Sequence, residues 1–200
     1  ATASALCYSS VPETEGKNTA ESLKKAKTSG NEGLEKLKDM KAVKGDSEVK
    51  AKYDAVEEQI DAFNVMVDAY IEAYDTILPV FNSAQISSAN SDSAINSIST
   101  MRSKLEGIQG SIKNEYNKQF VTDEIAALKE YETAAKAYVD YLNDYTKYTS
   151  GLSKADYDAS DKVSDVASDW GSNLEKLADE GDIKDKMNSL GTLLMQKQYS

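Results

Sequence analysis

Two hundred residues with 40% hydrophobic composition suffice for one large domain or two small ones with a real core. A formal charge of −11, from 34 acidic and 23 basic residues, argues against nucleic acid or an anionic membrane surface as a partner. With no histidine and a single cysteine, the chain lacks the usual nucleophile–His pairs, the His-bearing di-iron bundle site and any internal disulfide. No catalytic residue, metal site or cofactor is assigned.

Two prolines and little β-branched alternation count against a sheet protein, and no apolar run approaches the ~20 residues of a membrane span. The charge is uneven: residues 1–52 carry ten lysines and eight acids, whereas residues 53–200 carry 13 basic and 26 acidic groups. The first helix is therefore expected either to dock on the acidic remainder or to face an acidic neighbour.

Residues 1–17 read as an extended N-terminal arm of small and β-tolerant residues with Pro12 and Gly16. The run Ala1-Thr2-Ala3-Ser4-Ala5 has the Ala-x-Ala spacing of a signal-peptidase site, which points to a secreted or cell-surface protein. Cys7 as a lipid-anchored residue is the weaker reading, because Leu6 occupies the place where a lipoprotein wants Gly or Ala. A buried or intermolecularly paired thiol is the plainer one.

Residues 18–200 read as a single helical domain. The first helix runs from about Asn18 to Val43 on a thin stripe of Leu23, Ala26, Leu34, Leu37 and Met40, weakened by Gly30 and Gly33. Asp46 or Ser47 caps the second and longest helix. Its apolar residues fall at Tyr53, Val56, Ile60, Phe63, Val67, Tyr70, Tyr74, Ile77, Phe81 and Ala84, an unbroken coiled-coil-like seam, with Asp54, Asp61, Asp68 and Asp75 along a wet flank. A kink or early stop is expected at Pro79.

The Ser- and Asn-rich stretch 82–92 reads as a turn. A third helix follows with Ile95, Ile98, Met101, Leu105, Ile108 and Ile112 on one face and Tyr116 near its end. Thr122 is expected to cap the fourth, whose face is Leu128, Tyr131, Ala135, Tyr138, Leu142 and Tyr145. Ser153 caps the fifth, with Val163, Val166, Trp170, Leu174 and Leu177 inward. A short sixth begins at Ile183 with Met187, Leu190 and Leu194. Short connectors make successive helices antiparallel neighbours. The fold class is an all-α, elongated up-and-down bundle of five or six helices.

Tyrosine is the compositional oddity, 12 residues against three Phe. If the second and fourth helices run parallel, Tyr70, Tyr74, Tyr138, Tyr141 and Tyr145 share a level and could line a pocket for an apolar or cationic ligand. The plainer reading is a bundle margin with buried rings and wet hydroxyls. Asp158, Asp161, Asp165 and Asp169 form a stripe that could attract a hard cation, but without the EF-hand glycine and closing glutamate it reads as a solvated face.

These readings lead to a non-enzymatic exported protein that self-associates or binds another surface protein. Its contacts would lie at Cys7 and the basic residues Lys24, Lys25, Lys27, Lys36, Lys38 and Lys41. The alternative is an extracellular small-molecule-binding or sensor-type bundle that uses the tyrosines.

Overall fold

A computed structural model describes residues 13–84, 86, 91–144, 146 and 150–197. The fold is an all-α helical bundle, and no strand occurs among the described residues. Helix α1 spans Glu13–Lys38, α2 Lys41–Gly45 and α3 Ser47–Glu72. A π-helical turn, Ala73–Ile77, joins α3 to α4, Leu78–Ser83. Then come α5 (Ser91–Gln109), α6 (Glu115–Asn143), α7 (Leu152–Glu175) and α8 (Glu180–Gln196).

The chain divides into two compact units, one of residues up to Lys17 with Glu72–Ser172, the other of Asn18–Ile71 with Asn173–Ser200. The second of these gathers α1, α2, α3 and α8. Its core is Leu34, Ala42, Val43, Val49, Tyr53, Val56, Ile60, Leu190 and Leu193, all buried. Asp46 caps α3, its Oδ1 accepting from the backbone N–H of Glu48 (2.9 Å) and Val49 (3.1 Å). The other carboxylate oxygen takes Lys197 Nζ at 2.6 Å, so one side chain both starts α3 and fastens the end of α8.

Helix α1 lies on α3 through Lys27–Asp68 at 2.5 Å and Asn64 Nδ2 donating to Asn31 Oδ1 at 2.8 Å.

Several boundaries differ from expectation. Helix α1 begins at Glu13, so residues 13–17 are helical and not an extended arm, while residues 1–12 and Cys7 lie outside the described residues. It ends at Lys38. Met40 adopts an extended backbone (φ −65°, ψ 138°), and α2 folds Ala42 and Val43 into the core as a separate short helix. Ala20 is buried on α1, as is Leu34, whereas Ala26 is exposed. The stripe runs through Gly16, Ala20, Leu23, Lys27, Asn31 and Leu34, and the polar residues in it hid it from a hydrophobic reading.

Pro79 does not stop its helix. The chain widens into the π turn just before it, and Leu78 N–H donates to Ala73 O five residues back. The proline ring thus falls in the first turn of α4, where no intrahelical donor is needed.

Candidate functional site

In the unit that holds Glu72–Ser172, the site is organised by α6. Its N-cap is Asn114, whose Oδ1 accepts from Tyr116 N (3.0 Å) and Asn117 N (3.4 Å). Thr122 is not the cap: it sits two turns inside, its hydroxyl donating to Lys118 O at 2.8 Å, and Tyr116 belongs to the first turn of α6. A helix opens at Asn114 because its buried stripe starts there: Asn117, Phe120, Val121, Glu124, Ala127, Leu128, Glu132 and Ala135 recur at steps of three and four.

Polar residues occupy the head of that stripe. The Glu72 carboxylate accepts from Lys113 N at 2.7 Å, from Asn114 N at 3.0 Å and from Asn117 Nδ2 at 3.0 Å. The loop amides ahead of α6 are thereby satisfied by a charge placed where the helix dipole favours an anion. Asn117 is wholly buried, and its Oδ1 accepts from Trp170 Nε1 of α7 at 3.0 Å. Phe120 bridges Trp170 and Phe81, with ring centroids 5.1 Å and 6.3 Å away.

Two turns along the same stripe is Glu124, with no solvent exposure. Burial pushes its carboxyl up to about 8. At neutral pH it is held mostly protonated, a carboxylic acid able to donate a hydrogen bond. On the rim, Glu132 accepts from Arg102 Nε (3.1 Å) and Lys136 Nζ (2.5 Å), and the latter bond leads in holding it below the ordinary carboxylate range. Lys162 of α7 reaches Glu130 of α6 at 2.6 Å.

Of the tyrosines singled out from the sequence, Tyr138 and Tyr141 come together, ring centroids 6.2 Å apart and planes 29° from parallel. Both are partly exposed, and the following Leu142, expected inward, is 40% exposed. The α6 stripe leaves the core here. Tyr74 packs elsewhere in the same unit, its ring close enough to Gly16 that a Cβ there would lie 3.2 Å away. Tyr70 belongs to the other unit, and Tyr145 lies outside the described residues. Of the proposed cluster, Tyr138 and Tyr141 are thus seen as a ring pair.

Half of the lysines proposed for assembly engage within the chain: Lys24 with Glu21, Lys27 with Asp68 and Lys38 with Glu35. Lys25, Lys36 and Lys41 are exposed. Asp158, Asp161, Asp165 and Asp169 are exposed as well, and Asp158 pairs with Lys154.

Sequence reasoning missed Glu72, Asn117 and Glu124. The available signal was a polar residue standing where the helical period calls for an apolar one, as at positions 117 and 124 between Phe120, Val121 and Leu128. No helix among the described residues is long and apolar enough to cross a membrane. No protein-family model, curated protein or solved structure matches the chain.

Proposed function

We propose that this protein is a non-enzymatic helical bundle that binds a small molecule outside the cell, with the paired rings of Tyr138 and Tyr141 as its ligand-facing element. The observation that carries the reading is the pair itself: two stacked, partly exposed aromatic rings where α6 leaves the core. Aromatic surface of this kind supplies contact area with little side-chain entropy to lose, and the hydroxyls give orientation. The buried polar set beneath it, Glu124, Asn117 and Trp170, holds α6 in one register, as a binding face requires.

The test is a thermal-shift panel of amines, aromatics and organic acids on the intact chain, repeated on a Tyr138→Ala/Tyr141→Ala variant. A compound that raises the wild-type melting temperature and leaves the variant unmoved supports the reading. A panel in which every response is identical in the two proteins defeats it.

The second reading, a self-assembling or partner-binding surface protein, has its own observation in the exposed Lys25, Lys36 and Lys41 on a chain of charge −11. It is weakened by the internal pairing of Lys24, Lys27 and Lys38. Light scattering over a concentration series at low and physiological salt separates the two: salt-sensitive growth in mass favours assembly, and a constant monomer mass removes it.

A further inference from the structure

Oxidative coupling of two tyrosines needs two phenols side by side, both within reach of an oxidant in water. Tyr138 and Tyr141 meet both conditions. They stand three residues apart on α6, their ring centroids are 6.2 Å apart with planes 29° from parallel, and both are partly exposed. At that tilt the nearest ring carbons lie closer than the centroids. Bringing two of them into bonding range takes rotation about side-chain bonds, which exposed side chains complete in picoseconds to nanoseconds. Tyr141 also sits in the last turn of α6, which ends at Asn143, and a helix end yields more readily than a helix interior.

Other oxidisable groups fail one condition or lead elsewhere. Tyr53 is buried, its hydroxyl donates to Glu57 at 3.0 Å, and burial above all pushes its phenol up to about 12, so the proton that must leave is held. Tyr157 is 68% exposed but has no ring partner among the described residues, so a radical formed there has to find another chain. The exposed Met187 and Met195 gain oxygen to give sulfoxides, a different product.

We infer that Tyr138 and Tyr141 form a modification site at which hydrogen peroxide, acting through a haem peroxidase, joins the two rings into an intramolecular dityrosine. Each phenol gives up one electron and its hydroxyl proton. The two phenoxyl radicals then form a carbon–carbon bond between positions ortho to the oxygens, and the hydrogens displaced from those carbons return to the oxygens, restoring both phenols. The peroxide accepts the two electrons and two protons, its O–O bond breaks, and it leaves as two molecules of water. Because one helix face holds both radicals, their meeting is intramolecular and outpaces coupling between chains at low protein concentration. The new bond spans the last turn of α6 and fastens it. This goes beyond the ligand-binding reading, since the rings couple whether or not they hold a ligand.

The experiment exposes the intact chain at low micromolar concentration to hydrogen peroxide and a haem peroxidase, and follows dityrosine fluorescence. Digestion after lysine releases residues 137–147 as one peptide with Tyr138, Tyr141 and Tyr145. The expected product is that peptide lighter by two hydrogen atoms, with no backbone fragments that separate Tyr138 from Tyr141. Its yield per chain should stay constant over an about tenfold range of protein concentration, and in concentrated urea its share of all dityrosine should fall about threefold or more. Tyr138→Phe and Tyr141→Phe should each abolish it, because phenylalanine has no phenol to oxidise and preserves the ring packing. Tyr145→Phe and Tyr157→Phe should leave it in place.

A cross-link that involves Tyr145, joins two chains, survives substitution at 138 or 141, or keeps the same share in urea overturns the inference. Oxidation confined to Met187 and Met195 does so too. These outcomes leave the thermal-shift panel untouched, and a flat panel leaves the coupling untouched, so the two readings fail separately.

Discussion

Replacing Glu124 by glutamine tests whether the core of the Glu72–Ser172 unit contains a carboxylic acid that ionises only at a cost. The folded chain holds this proton more tightly than the unfolded chain, since burial raises the carboxyl from 4.5 to about 8. Stability is therefore greatest, as far as this group is concerned, below about pH 4.5, declines as the pH rises and flattens above about pH 8. At ~1.36 kcal/mol per pH unit the whole interval corresponds to roughly 4–5 kcal/mol, most of which falls between pH 5 and 8.

No histidine titrates in that window. Asp39, Glu132 and Asp144 are held below their ordinary values by Lys44, Lys136 and Thr146 respectively, so their contributions are lost only as the pH falls through about 4 and below. Urea unfolding at pH 5, 6, 7 and 8, followed by the fluorescence of Trp170, the chain's single and buried tryptophan, reports on the right unit. Wild type should lose about 3–4 kcal/mol across the series, and Glu124→Gln should be nearly level. Parallel profiles for the two proteins would refute the argument whatever their absolute stabilities.

Other substitutions address the frame. Gly30→Ala and Gly33→Ala should each raise stability by about 0.5–1 kcal/mol. A Cβ at position 30 would meet Ile60 at an ordinary 3.8 Å, and at position 33 it would meet nothing within 4 Å. Gly16→Ala should lower stability, since its Cβ would lie 3.1 Å from Leu78 Cδ2 and 3.2 Å from the Tyr74 ring; far-UV melting curves for the three variants decide between these signs. Asn117→Ala removes the acceptor of the Trp170 N–H and one of three donors to the Glu72 carboxylate, and should cost about 2–4 kcal/mol with a red-shifted Trp170 emission. Asp46→Ala should cost about 1–2 kcal/mol by removing the α3 cap, whereas Asp46→Asn keeps an acceptor for that cap and should lose only the salt-sensitive pairing with Lys197, visible as a smaller effect that vanishes at high salt.

What the sequence discloses is what periodicity can carry. The α3 seam is buried at Tyr53, Val56, Ile60 and Val67, and the flank of Asp54, Asp61, Asp68 and Asp75 is exposed, because side chains seven apart must share a helix face. Asp46 as a cap was legible for a similar local reason. Thr122 was misread because a capping residue and a helix-interior threonine look alike from one position; only the buried run from Asn117 onward distinguishes them, and it begins with a polar residue. Pro79 announced a disturbance but not its form, since whether a chain kinks or widens into a π turn depends on what Ile77 and Phe81 must reach. The tyrosine grouping required knowing which helices run side by side. Tyr138 and Tyr141 meet because they lie three apart on one helix, and no such local rule connects either with Tyr70 or Tyr74.

The two units divide their polar groups differently, which bears on where function resides. In the unit of α1 to α3 and α8 the described core is aliphatic apart from Tyr53, whose hydroxyl donates to Glu57 at its edge, and the ion pairs stand at the rim. Such a core tolerates small shifts of one helix along another. In the other unit Asn117 and Glu124 are buried without exposure on the main helix, and Asn117 reaches a carboxylate on one side and an indole on the other. A buried amide with partners on two elements admits one register, because any slip leaves several polar groups unpaired in a dry core. Stability alone is served better by apolar residues at those positions. The arrangement makes physical sense if the position of α6 relative to α7 has to be fixed to within a fraction of a turn. The part of α6 that depends most on that positioning is the one beyond the core, the partly exposed Tyr138–Tyr141 pair.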